Sequence, residues 1–202
     1  YIEYFYHRHN EFWKEQALKK LPAIISSTNM LACGEDLGMV PDSVPEVMTQ
    51  LEIITLEIQR MPKKPNTEFA MPADAPYLSV CTTSTHDMNP IRAWWEEDPA
   101  LTQRFYNRAL GIEGPAPETC LPWIAEKIID QHLHSTAMLV ILPWQDWVAL
   151  DKNLRHENPN AERINIPADP RNFWCYRMHI TLEQLLSQKK FNAKIRKMIK
   201  ES

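Results

Sequence analysis

The chain has 202 residues, of which 44% are hydrophobic and 24% charged, and a formal net charge of −4. A globular chain of this size hides about 70% of its unfolded surface, so a proper core is within reach. The mild acidity argues against nucleic acid or an anionic membrane as the main partner. No apolar run approaches the roughly 20 residues that a membrane helix needs, and no signal peptide is visible, so the expected location is cytoplasmic.

The first ten residues, YIEYFYHRHN, lack an initiator Met and are aromatic from the start, and they read as the opening of an excised or truncated segment. Asn10 is placed to cap a helix with Trp13, Ala17 and Leu21 inward. A strand-like run at residues 30–33 then ends on Glu35 and Asp36. Ser43 with Glu46 has the spacing of a capping box, followed by Val44, Val47, Met48 and Leu51 at helical spacing. Residues 53–58 and 77–82 are further strand-like runs. Between them, residues 61–76 (MPKKPNTEFAMPADAP) are too proline-rich for a crossover helix, and a loop of that length inside a domain is usually functional. Its position suggests that it shapes the acceptor side of a site.

Asp98-Pro99 supplies a cap and a first-turn proline, Leu101, Phe105 and Ala109 one helical face, and Gly111 a stop. Leu121, Ile124, Ala125, Ile128 and Ile129 form the face of the next helix, entered through Thr119. Residues 137–142 are the fourth strand-like run. Residues 153–171 form a second long polar connection. Thr181 with Gln184 repeats the capping-box spacing, and Phe191, Ile195, Met198 and Ile199 end the chain helically. The strands are continuous apolar runs without in/out alternation, which marks strands covered on both faces. Strands alternating with helices imply a parallel α/β sheet. Four strands fit either a small open sheet or half of a (β/α)8 TIM barrel, which needs eight.

Cys33, Cys81, Cys120 and Cys175 are far apart and form no C-x-x-C pair. With Cys33 and Cys81 in apolar runs, reduced core thiols are expected rather than disulfides or zinc. The seven histidines lack metal-ligand spacing. Neither a metal nor a cofactor is expected.

Each strand ends in polar residues: Glu35-Asp36, Gln59-Arg60, Thr85-His86-Asp87 and Gln145-Asp146. Parallel strands deliver such groups to one rim, where ligands bind. The bland alternative is a set of loop acids and helix caps. Trp94 and Trp95 could stack on sugars, but they fit a core face better. Several carboxylates on a rim with little basic character suit glycoside chemistry, in which a nucleophile and an acid/base carboxyl stand about 5–5.5 Å apart in retaining enzymes.

CGEDLGMVP, LEIQRMP, TSTHDMNPIRAWWEED, LPWQDWVAL and PRNFWCYRMHITLEQL resemble, in order, the C-terminal half of the 4-α-glucanotransferases of glycoside hydrolase family 77, the amylomaltases and disproportionating enzymes. FWKEQALKKLP and RAWWEED bring the chain closest to the plant cytosolic type, which acts on maltose, and its bacterial relatives. The resemblance implies that residues 1–202 are the C-terminal portion of the catalytic TIM barrel. It makes Glu35 the acid/base and Asp87 the transition-state-stabilising carboxylate. It makes His86 a ligand of the sugar in the central donor subsite and puts Gln59 near the site. Asp36 joins them at the substrate site as support, orienting Glu35 or holding the turn.

Maltose, maltodextrin or another α-1,4-glucan is the implied partner. The family's nucleophilic aspartate lies upstream in an Arg-x-Asp-His-type motif that these residues lack, so the chain alone is expected to be inactive. Met88-Asn89-Pro90 and the Phe173 between Asn172 and Trp174 depart from the family pattern, which puts a role for Asn172 in doubt. Two alternatives stand beside this reading. One is a non-catalytic carbohydrate-binding or assembly half-barrel, whose open edges could self-associate. The other is a self-contained small hydrolase using Glu35 and Asp87.

Overall fold

Three of the four apolar runs pair side by side. The computed structural model describes residues 1–202, and in it β1 (Thr55–Ile58), β2 (Ser79–Thr82) and β3 (Leu139–Val140) form a parallel sheet in the order β1-β2-β3. Strand neighbours therefore follow chain order. The fourth run contributes one parallel bridge, Cys33 to Ile54. There the Ile54 amide donates to the Ala32 carbonyl (3.0 Å) and the Gly34 amide to the Ile54 carbonyl (2.9 Å). Gly34 suits this close approach, because a Cβ on it would come within 2.8 Å of the Met48 methyl. The run at 137–142 is shortened to two residues, with Pro143, which has no N–H to donate, just beyond.

The helices are α1 (His9–Ser26), α2 (Val44–Gln50), α3 (Ile91–Glu97), α4 (Pro99–Arg108), α5 (Pro122–Leu133), α6 (Trp144–Val148), α7 (Leu182–Ser187) and α8 (Lys189–Lys200). No helix is long and apolar enough to cross a membrane. Asp98 caps α4 as expected, accepting from the amides of Ala100 (2.9 Å) and Leu101 (3.1 Å). Gly111 follows α4 at φ +66°, a left-handed turn that glycine adopts without a Cβ penalty. The Thr181–Gln184 capping box forms at α7.

Other expected caps do not form, because tertiary partners take the side chains. Ser43 donates to the Asn10 carbonyl (3.0 Å) and Glu46 pairs with Lys14, both on α1. Asn10 lies inside α1 and accepts from the Asp42 amide (3.0 Å), so it ties two elements together. Thr119 stands outside α5, which begins at Pro122.

The main core joins α3, α4, α5, α6 and α8 through Ile91, Trp95, Phe105, Ile124, Ile128, Ile129, Val148, Phe191 and Met198. Trp94 packs against this core, as its helical spacing suggested. A smaller cluster of Val44, Met48 and Ile53 takes Trp13, Leu21 and Ile25 of α1. All four cysteines are free. Cys81 is buried as expected and so is Cys120, whereas Cys33 is exposed at the sheet edge; Cys175 is also exposed.

Residues 61–76 contain no α-helix and only a short turn of 3-10 helix, Pro72–Asp74. They lie in the helical layer. Glu68 pairs with Arg104 (2.6 Å) and Arg108 (2.9 Å) of α4, and Phe69 meets Phe105 edge-on with ring centroids 5.0 Å apart. Thr136, just past α5, donates to the Ala73 carbonyl (3.2 Å). Apart from Lys63, the segment thus stands where a crossover helix between β1 and β2 would stand.

The opposite sheet face is covered only in part. Leu139 pairs with Val80, and the two-residue alternation puts Leu78 and Ile141 on the same face; Leu78, Leu139 and Ile141 are exposed there, whereas Val80 and Ile58 are buried.

His132 of α5 is buried, with Nδ1 against the Ile128 carbonyl (2.8 Å), and burial pushes its pKa down from 6.5 to about 4. The folded state therefore refuses a proton that the unfolded chain accepts. Its neutral-form stability is fully present above pH 6.5 and is lost progressively as pH falls toward about 4. Urea titrations across that window should show a shallower loss for His132→Gln than for the parent chain.

Candidate functional site

β1 lies between the Cys33 line on one edge and β2 on the other. Glu35 follows the Cys33 line and Asp87 follows β2, so both carboxylates leave the same, C-terminal end of the sheet. Two strand spacings separate their lines, roughly 10 Å. Glu35 is exposed. Its neighbour Asp36 is 6% exposed and continues the β1 edge ladder with its side chain: Oδ1 accepts from the Leu56 amide (3.1 Å), where the backbone carbonyls of the Cys33 line have run out. Asp36 Oδ2 takes the Lys63 ammonium at 2.6 Å, and the same nitrogen reaches Glu57 Oε1 (2.9 Å) and Thr55 Oγ1 (3.1 Å).

The rim residues His86 and Asp87 are both exposed, with His86 Nε2 3.6 Å from Asp87 Oδ1. Asp87 Oδ1 accepts from Asn165 Nδ2 (2.5 Å), and Asn165 Oδ1 accepts from Asn172 Nδ2 (2.7 Å). The Asn165 amide donates to the His86 carbonyl (3.1 Å), and the Arg163 guanidinium to the Asn165 carbonyl (2.7 Å). The Trp174 ring lies 4.5 Å from the His86 ring at 45° and is 60% exposed, with Phe173 beside it 74% exposed. The second polar connection and the segment after it thus reach Asp87 and His86 from one side while leaving both exposed. Asn172 sits one hydrogen bond behind Asn165, inside this network despite the inserted Phe173.

The other two polar strand ends turn inward. Gln59 is 2% exposed and donates through Nε2 to Gln131 of α5 (2.9 Å), so its side chain sits behind the rim. Arg60 faces inward. Its guanidinium lies 4.7 Å over Trp94 and donates to the carbonyls of Thr83 (2.8 and 3.2 Å) and Asn89 (2.9 Å). Burial lowers its pKa to about 10, against the opposing pull of Asp146, so it remains a cation at neutral pH.

Asp146 is 0% exposed and is likewise no rim ligand. It accepts from Thr83 Oγ1 (2.5 Å), Ser84 Oγ (3.2 Å) and the Ile91 amide (2.7 Å). Burial raises its pKa, while Thr83, Arg60, the Ile91 amide and Ser84 pull it back. Arg60 and Asp146 therefore grip both roots of the loop that displays His86 and Asp87.

A second buried pair fixes the covering segment. Arg92 NH1 meets Glu162 Oε1 (3.0 Å), the His156 amide donates to the same oxygen (3.1 Å), and Gln145 Nε2 donates to the Glu162 carbonyl (3.1 Å). Burial raises the Glu162 pKa, with Arg92 opposing.

Sequence reading missed Lys63, Arg60 as an inward-facing anchor, Glu162 and Asn165. The signals were faint: an arginine directly after an apolar strand, and an asparagine in a polar stretch that also holds prolines. No cluster of three or more His, Cys, Asp or Glu side chains could hold a metal ion. The geometry offers an exposed carboxylate–imidazole pair walled by aromatic rings, with a second exposed carboxylate on the neighbouring edge. That combination suits binding and proton transfer on a neutral polyhydroxyl ligand.

The family profile described as 4-alpha-glucanotransferase matches residues 1–183. The chain is 41% identical over 202 residues to 4-alpha-glucanotransferase DPE2 of Oryza sativa subsp. japonica, covering all of this chain and 21% of the rice protein. It is 31% identical over 188 residues to the 4-alpha-glucanotransferase of Chlamydia pneumoniae, covering 92% of this chain and 35% of that protein. The chain thus spans between about a fifth and a third of the length of these relatives. In three dimensions it is similar to the amylomaltase from Streptococcus agalactiae in complex with acarbose, with a TM-score of 0.66 and 14% identity over 92% of this chain and 34% of that one. The Corynebacterium glutamicum amylomaltase gives 0.61 and 17% over 84% of this chain and 28% of that one. These likenesses extend to the fold.

Breaking a buried charged contact by removing one partner costs about 3–5 kcal/mol. Arg60→Met and Asp146→Ala should each fall in that range by urea denaturation, whereas truncating the exposed cap in Asp98→Ala should cost about 1 kcal/mol.

Proposed function

The chain belongs to the 4-alpha-glucanotransferase family, and from that premise we propose that it is the C-terminal half of a TIM-barrel catalytic domain that transfers glucosyl or α-1,4-glucan units from maltose or maltodextrin to an acceptor sugar. The observation that carries the reading is the pair of exposed carboxylates, Glu35 and Asp87, at the C-terminal end of one parallel sheet, with His86 beside Asp87 and Trp174 against the His86 ring. The apolar sheet face bearing Leu139 and Ile141 supports the half-barrel, since barrel strands are covered on their inner face by the strands opposite.

In this reading a donor sugar lies across the rim above β1 and β2. Glu35 protonates the departing glycosidic oxygen while a carboxylate from outside residues 1–202 attacks the anomeric carbon, giving a covalent glycosyl intermediate with retention overall. Glu35 then takes the proton from an acceptor hydroxyl, and that oxygen displaces the carboxylate. Asp87, oriented by the Asn165 amide, stabilises the positive charge that develops at the anomeric carbon and accepts from sugar hydroxyls. His86 donates to or accepts from the same sugar, and Trp174 offers an apolar ring face. Gln59 and Asp36 support from behind the rim. No step calls for a metal or a cofactor.

A maltose disproportionation assay on residues 1–202 should show no turnover, since these residues hold the acid/base and the stabilising carboxylate without the attacking one. Turnover by these residues alone would favour the self-contained hydrolase instead. In the full-length protein, Glu35→Gln should lower kcat by about 10²–10⁴-fold, the usual weight of general acid catalysis. Near-parental kcat in that variant would remove Glu35 from the role.

A further inference from the structure

Glu35, the carboxylate assigned the proton transfers, is exposed at a sheet edge whose backbone pairing has just ended in a single bridge. A proton-transferring group has to be held to a fraction of an ångström to act. What fixes the backbone at this point is the adjacent Asp36, and Asp36 is held from two sides. Its Oδ1 accepts from the Leu56 amide at 3.1 Å, in place of a missing strand carbonyl. Its Oδ2 accepts from Lys63 at 2.6 Å.

The ammonium of Lys63 makes a third and a fourth contribution. By bonding to Glu57 (2.9 Å) and Thr55 (3.1 Å) it ties Asp36 to the side chains of β1, and its charge sits between two carboxylates and offsets their mutual repulsion. All three donor contacts of the ammonium are thus accounted for by one side chain reaching in from the proline-rich segment that replaces a crossover helix.

We propose that Lys63 is a positioning residue for the transfer reaction: it clamps Asp36 into the β1 edge and so holds Glu35 at the donor sugar. This rests on the assignment of Glu35 above. Without the ammonium, Asp36 and Glu57 share one face uncompensated, Asp36 leaves the Leu56 amide, and the residue next to it loses its fixed place. The lesion then falls on the chemical step, while the sugar contacts of His86, Asp87 and Trp174 are untouched.

The test is made in the full-length protein with Lys63→Met, Lys63→Arg and the double variant Asp36→Asn/Lys63→Met. Lys63→Met should lower kcat for maltose disproportionation by about 10- to 100-fold at nearly unchanged KM. Lys63→Arg should restore most of it, and Lys63→Met should add little in the Asp36→Asn background, because the two residues act as a unit. Independently of activity, the Leu56 amide should lose hydrogen-exchange protection in Lys63→Met and keep it in Lys63→Arg. An unchanged kcat, a defect confined to KM, a full additional loss on top of Asp36→Asn, or a Leu56 amide as protected as in the parent would each overturn the proposal. If the parent protein fails to disproportionate maltose, the functional reading falls, and the Leu56 amide still decides whether Lys63 is the clamp.

Discussion

The candidate site depends on a carboxylate that is wholly buried. Asp146 sits at the start of a one-and-a-half-turn helix with no solvent exposure, and it takes three donors from the two roots of one loop. A buried carboxylate is costly to desolvate, and it is tolerated only where hydrogen bonds and a nearby cation replace water. Here the Thr83 and Ser84 hydroxyls, the Ile91 amide and the Arg60 guanidinium do so. Because those groups bracket residues 85–90, satisfying Asp146 and fixing the stalk of the Asp87 loop are one event. Arg60 completes the frame by filling the carbonyls of Thr83 and Asn89 while stacking on Trp94. Exposed functional groups are thus displayed on a foundation whose own polar atoms point away from the solvent.

The same division recurs on the neighbouring edge. Glu35 is free of partners on the outside, and Asp36 behind it is used up by backbone and side-chain donors. In each case one acid of a sequence-adjacent or strand-end set faces the solvent, and the other is consumed in holding it. The proline-rich segment serves this arrangement from an unexpected direction. It takes the place of a helix between β1 and β2, salt-bridges to α4 through Glu68, and sends Lys63 back to the sheet edge. A regular helix would cover β1 with side chains at fixed spacing, whereas this irregular path lets a single lysine reach three acceptors.

Much of the architecture was legible in the sequence, for a physical reason. Continuous apolar runs and helical periodicity report burial directly, and they placed β1, β2 and the core faces of α4, α5 and α8. Signals that close within a few residues also held: the Asp98 cap, the Gly111 turn and the Thr181–Gln184 box. The readings that changed concern side chains with a choice of partners. Ser43, Glu46 and Asn10 have the right local spacing for caps, but α1 packs against α2 and offers them tertiary partners. Gln59, Arg60 and Asp146 were correctly seen as strand-end polar groups, yet only the packed helices decide that they face inward. The Asn165–Asp87 bond joins residues far apart in the chain, across a stretch with no periodicity to read, and only the folded chain reveals it.

Those separations have a consequence for the order in which the molecule matures. The bonds that set the Asp87 loop reach across 55 residues to Asp146 from Ile91, 63 from Thr83, 70 between Arg92 and Glu162, and 78 between Asp87 and Asn165. Contacts of such range form late, since the chain between them must be ordered before they repay the entropy of closure. On the ribosome, strand β2 and its acidic loop emerge well before the residues that hold them. The loop that displays Asp87 is therefore made early and fixed last, and a nascent chain stalled before Asn165 would carry Asp87 without the bond that orients it.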